Sequence, residues 1–200
     1  MNDARRFDLI RSLRLPDFLT LANGACGVIA FFQAIHFVED KDVRHLWIAS
    51  MLLPVALVLD FFDGRVARSR QGSSLLGREL DSLADLLSFG AAPAVIAYAV
   101  GLRTVLDQVV LVYFTLAGLA RLARYNVTAE ELAGRQGKVR YYEGTPIPTS
   151  VVPLGITVGA FATDTVAPVQ LLGMTLHWPS FLFALSGSLM ISKRLRIPKP

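Results

Sequence analysis

The chain has 200 residues, of which 20 are Lys or Arg, 16 are Asp or Glu and 53% are hydrophobic. Charged residues make up 18%, against about 25% in a soluble domain, which argues against a water-soluble globule and against a disordered chain. A single cysteine, Cys26, excludes an internal disulfide and a Cys-rich metal site.

In chain order, residues 1–16 form a basic segment in which Arg5, Arg6, Arg11 and Arg14 alternate with apolar residues at roughly helical spacing. It reads either as an interfacial amphipathic helix on anionic headgroups or as a plain topogenic tail. Residues 17–192 then carry six apolar runs: Phe18–Val38, His45–Phe62, Leu86–Leu102, Val109–Ala123, Pro148–Thr163 and Val169–Ser192. The first is long enough to cross a bilayer and too long for a cleavable signal, so an all-α membrane protein with six transmembrane helices is expected. Residues 193–200 form a basic tail.

Six crossings place both ends on one side. Seventeen of the Lys and Arg residues fall on that side, and only Lys41, Arg44 and Arg103 on the other, so the termini are expected in the cytoplasm of a cell-membrane protein. The same asymmetry accounts for most of the net charge of +4. With no recognition module in the chain, nucleic acid is not an expected partner. Asn126-Val127-Thr128 spells a glycosylation site but is expected on the cytoplasmic side. His36, His45 and His177 lie toward the outer side, far from the acids described next, and are not expected to hold metal.

From Asp60 the chain reads D-F-F-D-G-R-V-A-R-S-R-Q-G-S-S-L-L-G-R-E-L-D-S-L-A-D. Asp60 and Asp63 are three apart and Asp81 and Asp85 four apart, so each pair shares one face of its helix. The polar turn at Ser69–Ser74 can fold the helices together and gather four carboxylates at the cytoplasmic mouth. Like charges so placed need a counter-charge. All-oxygen ligation suits Mg²⁺ or Mn²⁺, and two ions are expected. Gly64, Ala67 and Gly77 leave room for a ligand, and Arg68 can pair with a phosphate or brace an aspartate. The blander reading, helix-capping acids with topogenic arginines, suits one or two acids better than four near lipid.

The pattern D-G-x2-A-R-x8-G-x3-D-x3-D, met by Asp63, Gly64, Ala67, Arg68, Gly77, Asp81 and Asp85 with Asp60 upstream, resembles the signature of the CDP-alcohol phosphotransferases. Five further segments resemble the integral-membrane phosphatidylserine synthase branch: Leu15–Gly27, Leu80–Ala94, Ala120–Asn126, Glu143–Pro148 and Leu189–Ser192. Asp17 departs from the Asn of many relatives. The resemblance implies transfer of a phosphatidyl group from CDP-diacylglycerol, or an archaeal CDP-ether lipid, to the hydroxyl of L-serine with release of CMP. It also implies a homodimer and direct, metal-assisted displacement rather than a covalent phosphatidyl-enzyme. Asp60, Asp63 and Asp81 would hold the ions, and Asp85 would ligate one and act as general base. Gly64, Ala67, Arg68 and Gly77 would line the cytidine-phosphate pocket.

Other residues are less determined. Asn23, within the first run and near Gly24 and Gly27, either bonds the nucleotide or joins helices. Arg121 and Arg124 either take serine's carboxylate or a lipid phosphate, or anchor the helix at the interface. The 128–142 loop is either a cover over the acceptor site or a solvated connector, and Gly155-x3-Gly159 is a small-residue face that can pack helices or subunits. Two competing functions stand beside the serine reading: another CDP-alcohol phosphotransferase making phosphatidylglycerol phosphate or an inositol lipid, and a cation transporter. Transport sites lie near the midplane, whereas these acids lie at one interface beside arginines.

Overall fold

The computed structural model describes residues 13–69, 75–133, 141–171, 173–192 and 196–198. The expected amphipathic helix and most of the basic tail lie outside them, as do the turn at 70–74 and the centre of the 128–142 loop.

Helix α1 (Leu15–Asp40) starts where Pro16 occupies the first turn, a place that needs no backbone N–H. The Arg14 N–H donates to Asp17 Oδ2 at 2.6 Å. It ends at Lys41, whose left-handed φ of 60° turns its N–H back onto the Phe37 carbonyl. Helix α2 (Val43–Ser69) follows Asp42, whose Oδ1 accepts the Arg44 N–H at 2.9 Å and whose Oδ2 pairs with the Arg44 guanidinium at 2.6 Å. Those bonds hold the Asp42 carboxyl down at about 2.

Helix α3 (Leu75–Asp85) runs through a π-helical turn (Leu86–Ala91) into α4 (Ala92–Ala99), making one continuous apolar rod. Helix α5 (Val105–Ala133) comes next. Beyond it lie β1 (Tyr141–Glu143), a 3₁₀ turn (Ile147–Ser150) and α6 (Val151–Ala162). The hairpin β2 (Pro168–Leu171) and β3 (Met174–His177), then α7 (Ser180–Ile191) and β4 (Arg196–Pro198), complete the chain, with β4 antiparallel to β1.

Among the described residues four helices are long and apolar enough to cross a membrane: Pro16–Asp40, Val43–Arg65, Leu76–Ala99 and Val105–Thr128. The chain is thus an all-α multi-pass membrane protein, its strands being short connectors. Three of the helices overrun the first, second and fourth expected runs at both ends, whereas the third begins well before its run, at Leu76, and stops at Ala99, short of Leu102. Ile147–Ala162 and Ser180–Ile191 are shorter apolar helices.

The sixth run is corrected. Val169 and its neighbours form a hairpin that turns at Gly173, where φ is +81°, and helix resumes only at Ser180. An uncharged apolar run does not by itself separate strand from helix; here Pro168, Gly173 and Pro179 break it. The hairpin is tied to the bundle by Asp107, fully buried at the start of α5. Asp107 accepts from the Thr104 N–H and hydroxyl at 3.0 and 2.8 Å, the His177 N–H at 2.9 Å and Ser180 Oγ at 2.6 Å, and its Oδ2 lies 2.7 Å from His177 Nδ1.

Helix α1 is the hub. It packs along α2 and also touches α3, the π turn and α4. In lipid, such contacts rest on close packing and polar bonds more than on burial of apolar surface. Gly27 shows this: a Cβ there would stand 2.8 Å from Ser88 Oγ in the π turn. Helices α5 and α7 pair through Phe114 and Phe183, buried edge to face with ring centres 5.1 Å apart. Phe32, Val58, Leu116 and other large apolar side chains face outward, as lipid contact requires.

Candidate active site and metal centre

The C-terminal part of α2 brings Asp60 and Asp63, and α3 brings Asp81 and Asp85, to the same end of the bundle, where α1 adds Thr20 and Asn23. One carboxylate oxygen each of Asp60, Asp63 and Asp81 lies within 4.8 Å of the other two, a metal-sized grouping. Asp63 is buried, and Asp81 Oδ1 is buried without a hydrogen-bond partner among the described residues. Three clustered carboxylates, one with a free lone pair, fit a hard divalent cation, which prefers oxygen ligands.

Asp63 is oriented from outside the acidic pairs: Thr20 Oγ1 donates to its Oδ2 at 2.9 Å. Asp85 is 7% exposed and lies within electrostatic range of Asp60, Asp81 and Asp63, its Oδ1 accepting from Asn23 Nδ2 at 3.1 Å. Asn23 is fully buried and its backbone carbonyl accepts the Ser88 hydroxyl at 2.7 Å, so one residue of α1 grips the chain both at Asp85 and at the π turn that follows it. Asp17, buried one turn before Thr20, is within electrostatic range of Asp63.

The remaining expected residues divide. Gly64 and Gly77 sit on α2 and α3 beside the acids, both half-buried; the side chains of Ala67 and Arg68 lie outside the described residues. Arg121 is buried on α5 within electrostatic range of Asp60, with its guanidinium 5.7 Å from the Tyr125 ring centre. Arg124 points elsewhere, donating to the Ile191 and Met190 carbonyls at 3.1 and 3.3 Å, which closes the last turn of α7. There the Thr145 N–H also reaches the Leu189 carbonyl at 3.2 Å, so three of the sequence segments, 120–126, 143–148 and 189–192, meet at one place. Asn126 reaches back to α3, its Oδ1 accepting from Ser82 Oγ at 3.1 Å. Sequence reasoning missed Thr20 and the Asn126–Ser82 brace, since nothing in the spacing links residues more than forty positions apart.

A family model for CDP-alcohol phosphatidyltransferases matches residues 13–186. The chain belongs to that family. Among relatives of this CDP-alcohol phosphatidyltransferase, a Saccharomyces cerevisiae CDP-diacylglycerol–serine O-phosphatidyltransferase is 39% identical over 215 aligned residues, covering 100% of this chain and 75% of the relative. The Bacillus subtilis protein of the same name is 32% identical over 67% of this chain and 69% of its own length. An archaetidylserine synthase of Methanothermobacter thermautotrophicus is 31% identical over 77% of this chain and 60% of its own. All three are named for a lipid transferred to, or carrying, serine.

Proposed function

We propose that this chain transfers a phosphatidyl group from a CDP-linked lipid to the hydroxyl of L-serine, releasing CMP. The observation that carries the reading is the Asp60, Asp63 and Asp81 cluster with the buried Asp85 next to it, in a chain whose relatives are serine transferases. Asp60, Asp63 and Asp81 would hold a divalent ion, Mg²⁺ or Mn²⁺, and Asp85 would be a ligand where a second binds. A bound divalent ion supplies fixed positive charge against the pyrophosphate of the CDP-lipid.

The chain's own groups do the rest. Asp85 accepts the serine hydroxyl proton as that oxygen bonds to the lipid-side phosphorus. The bond from this phosphorus to the bridging oxygen breaks, and CMP leaves with the bond's electron pair. Gly64 and Gly77 let the backbone approach the cytidine phosphate, with Ala67 and Arg68 completing that pocket. Arg121, buried near Asp60, takes a carboxylate or phosphate oxygen of a substrate. The six apolar helices cross the cell membrane with the acids at its cytoplasmic face, in a homodimer.

The test is CMP release by the purified protein with a CDP-linked diacyl or ether lipid and Mg²⁺ or Mn²⁺, offered serine, glycerol 3-phosphate or inositol phosphate. Serine-dependent release is expected, falling about 10²-fold to 10⁴-fold in Asp85→Asn. Release with another acceptor alone overturns the serine assignment, and metal-driven ion uptake into vesicles without any nucleotide overturns the enzyme reading.

A further inference from the structure

The amide of Asn23 is half used. Its Nδ2 donates to Asp85 Oδ1, while its Oδ1 is buried with no partner among the described residues. The hydrogen bond of 3.1 Å from Nδ2 to the Asp85 carboxyl sets the orientation of the amide, leaving its carbonyl oxygen as the unpaired end. A buried acceptor without a donor is costly, and here it stands one amide width from the proposed base. The missing donor therefore belongs beside the acceptor hydroxyl. Of serine's groups the ammonium supplies it, having three N–H donors and no acceptor.

We propose that Asn23 Oδ1 binds the ammonium of the acceptor amino acid, making Asn23 a specificity-determining residue of the serine site rather than a nucleotide contact. The inference rests on the serine-transfer reading above. Two adjacent atoms of one side chain then set both ends of the acceptor: Nδ2 steadies the carboxylate that takes the hydroxyl proton, and Oδ1 fixes the amino group. An acceptor without an ammonium leaves Oδ1 unpaired, and a site built to bond a polar group discriminates strongly against analogues that lack it.

The test compares L-serine with 3-hydroxypropanoate, the same skeleton without the amino group, read as a competitive inhibitor of serine in wild type and Asn23→Ala. In wild type its Ki is expected to exceed the serine KM by about 10-fold to 100-fold. In Asn23→Ala the serine KM rises by that factor, the analogue's Ki stays put, and the two converge, while the KM for the CDP-lipid is unchanged. Loss of Nδ2 lowers kcat as well, so the ratio of the two constants is the readout. Equal weakening of both molecules, a raised CDP-lipid KM, or a raised divalent-ion requirement as the main effect overturns the proposal. Asn23→Ser, which keeps a small acceptor, is the second variant if the alanine protein does not fold. Failure of wild type to release CMP with serine sinks the serine reading itself, a separate outcome.

Discussion

At the scale of single residues, the site is legible where the chemistry is local and silent where it is not. Asp60 with Asp63, and Asp81 with Asp85, announce themselves because each pair lies on one turn of one helix. Thr20 carries no such mark, yet its hydroxyl bonds the Asp63 carboxylate at 2.9 Å. Partners that orient a metal-binding carboxylate commonly hold about 10-fold to 100-fold in metal affinity. Thr20→Val should therefore raise the half-saturating Mg²⁺ or Mn²⁺ concentration by that factor and leave kcat at saturating ion near wild type. An unchanged ion requirement with a collapsed kcat would show instead that Thr20 serves substrate. Arg124, read from its place at a helix end either as a ligand for serine's carboxylate or a lipid phosphate or as an interfacial anchor, also bonds the carbonyls that end α7, a contact that its position in the sequence does not signal.

At the scale of elements, hydropathy located the long helices α1, α2 and α5 because apolar runs of that length have few other folds in lipid. It misread residues 168–177, where an equally apolar stretch pairs with itself across Gly173. The breakers Pro168, Gly173 and Pro179 permit that hairpin, and the grip of Asp107 on His177 and Ser180 fixes it against the bundle. Gly144 is a second place where an element depends on one residue. Its φ is +77° and a Cβ would overlap the Met190 carbonyl oxygen at the end of α7. The left-handed backbone alone costs an alanine about 1–2 kcal/mol, so Gly144→Ala should melt in detergent at least about 2–4 °C lower. No loss of stability would mean the 143–148 segment does not lean on α7 in the membrane-embedded protein.

At the scale of the whole molecule, the arrangement places the acids of α2 and α3 at one end of the bundle, and the Asp107 clasp with its hairpin at the other. The proposed cytoplasmic side of the acids is measurable. With Cys26 replaced by Ser, Arg5→Cys should react with a membrane-impermeant maleimide only from the cytoplasmic side, and Arg103→Cys only from the outside; reaction of both from one side would refute the topology. The π turn that follows Asp85 bears on the same architecture. A residue advances an α-helix by about 100°, and a π turn inserts one more residue than the α-helical path needs. The rod from 75 to 99 is thus two gears out of phase, one meshing its acids with the site, the other meshing Ala92 and Ile96 with the core. Excising a single residue between 86 and 91 would leave length and hydropathy almost untouched. It would swing Asp81 and Asp85 away from Asp60 and Asp63, giving a protein that inserts and assembles but has lost the timing between its two halves.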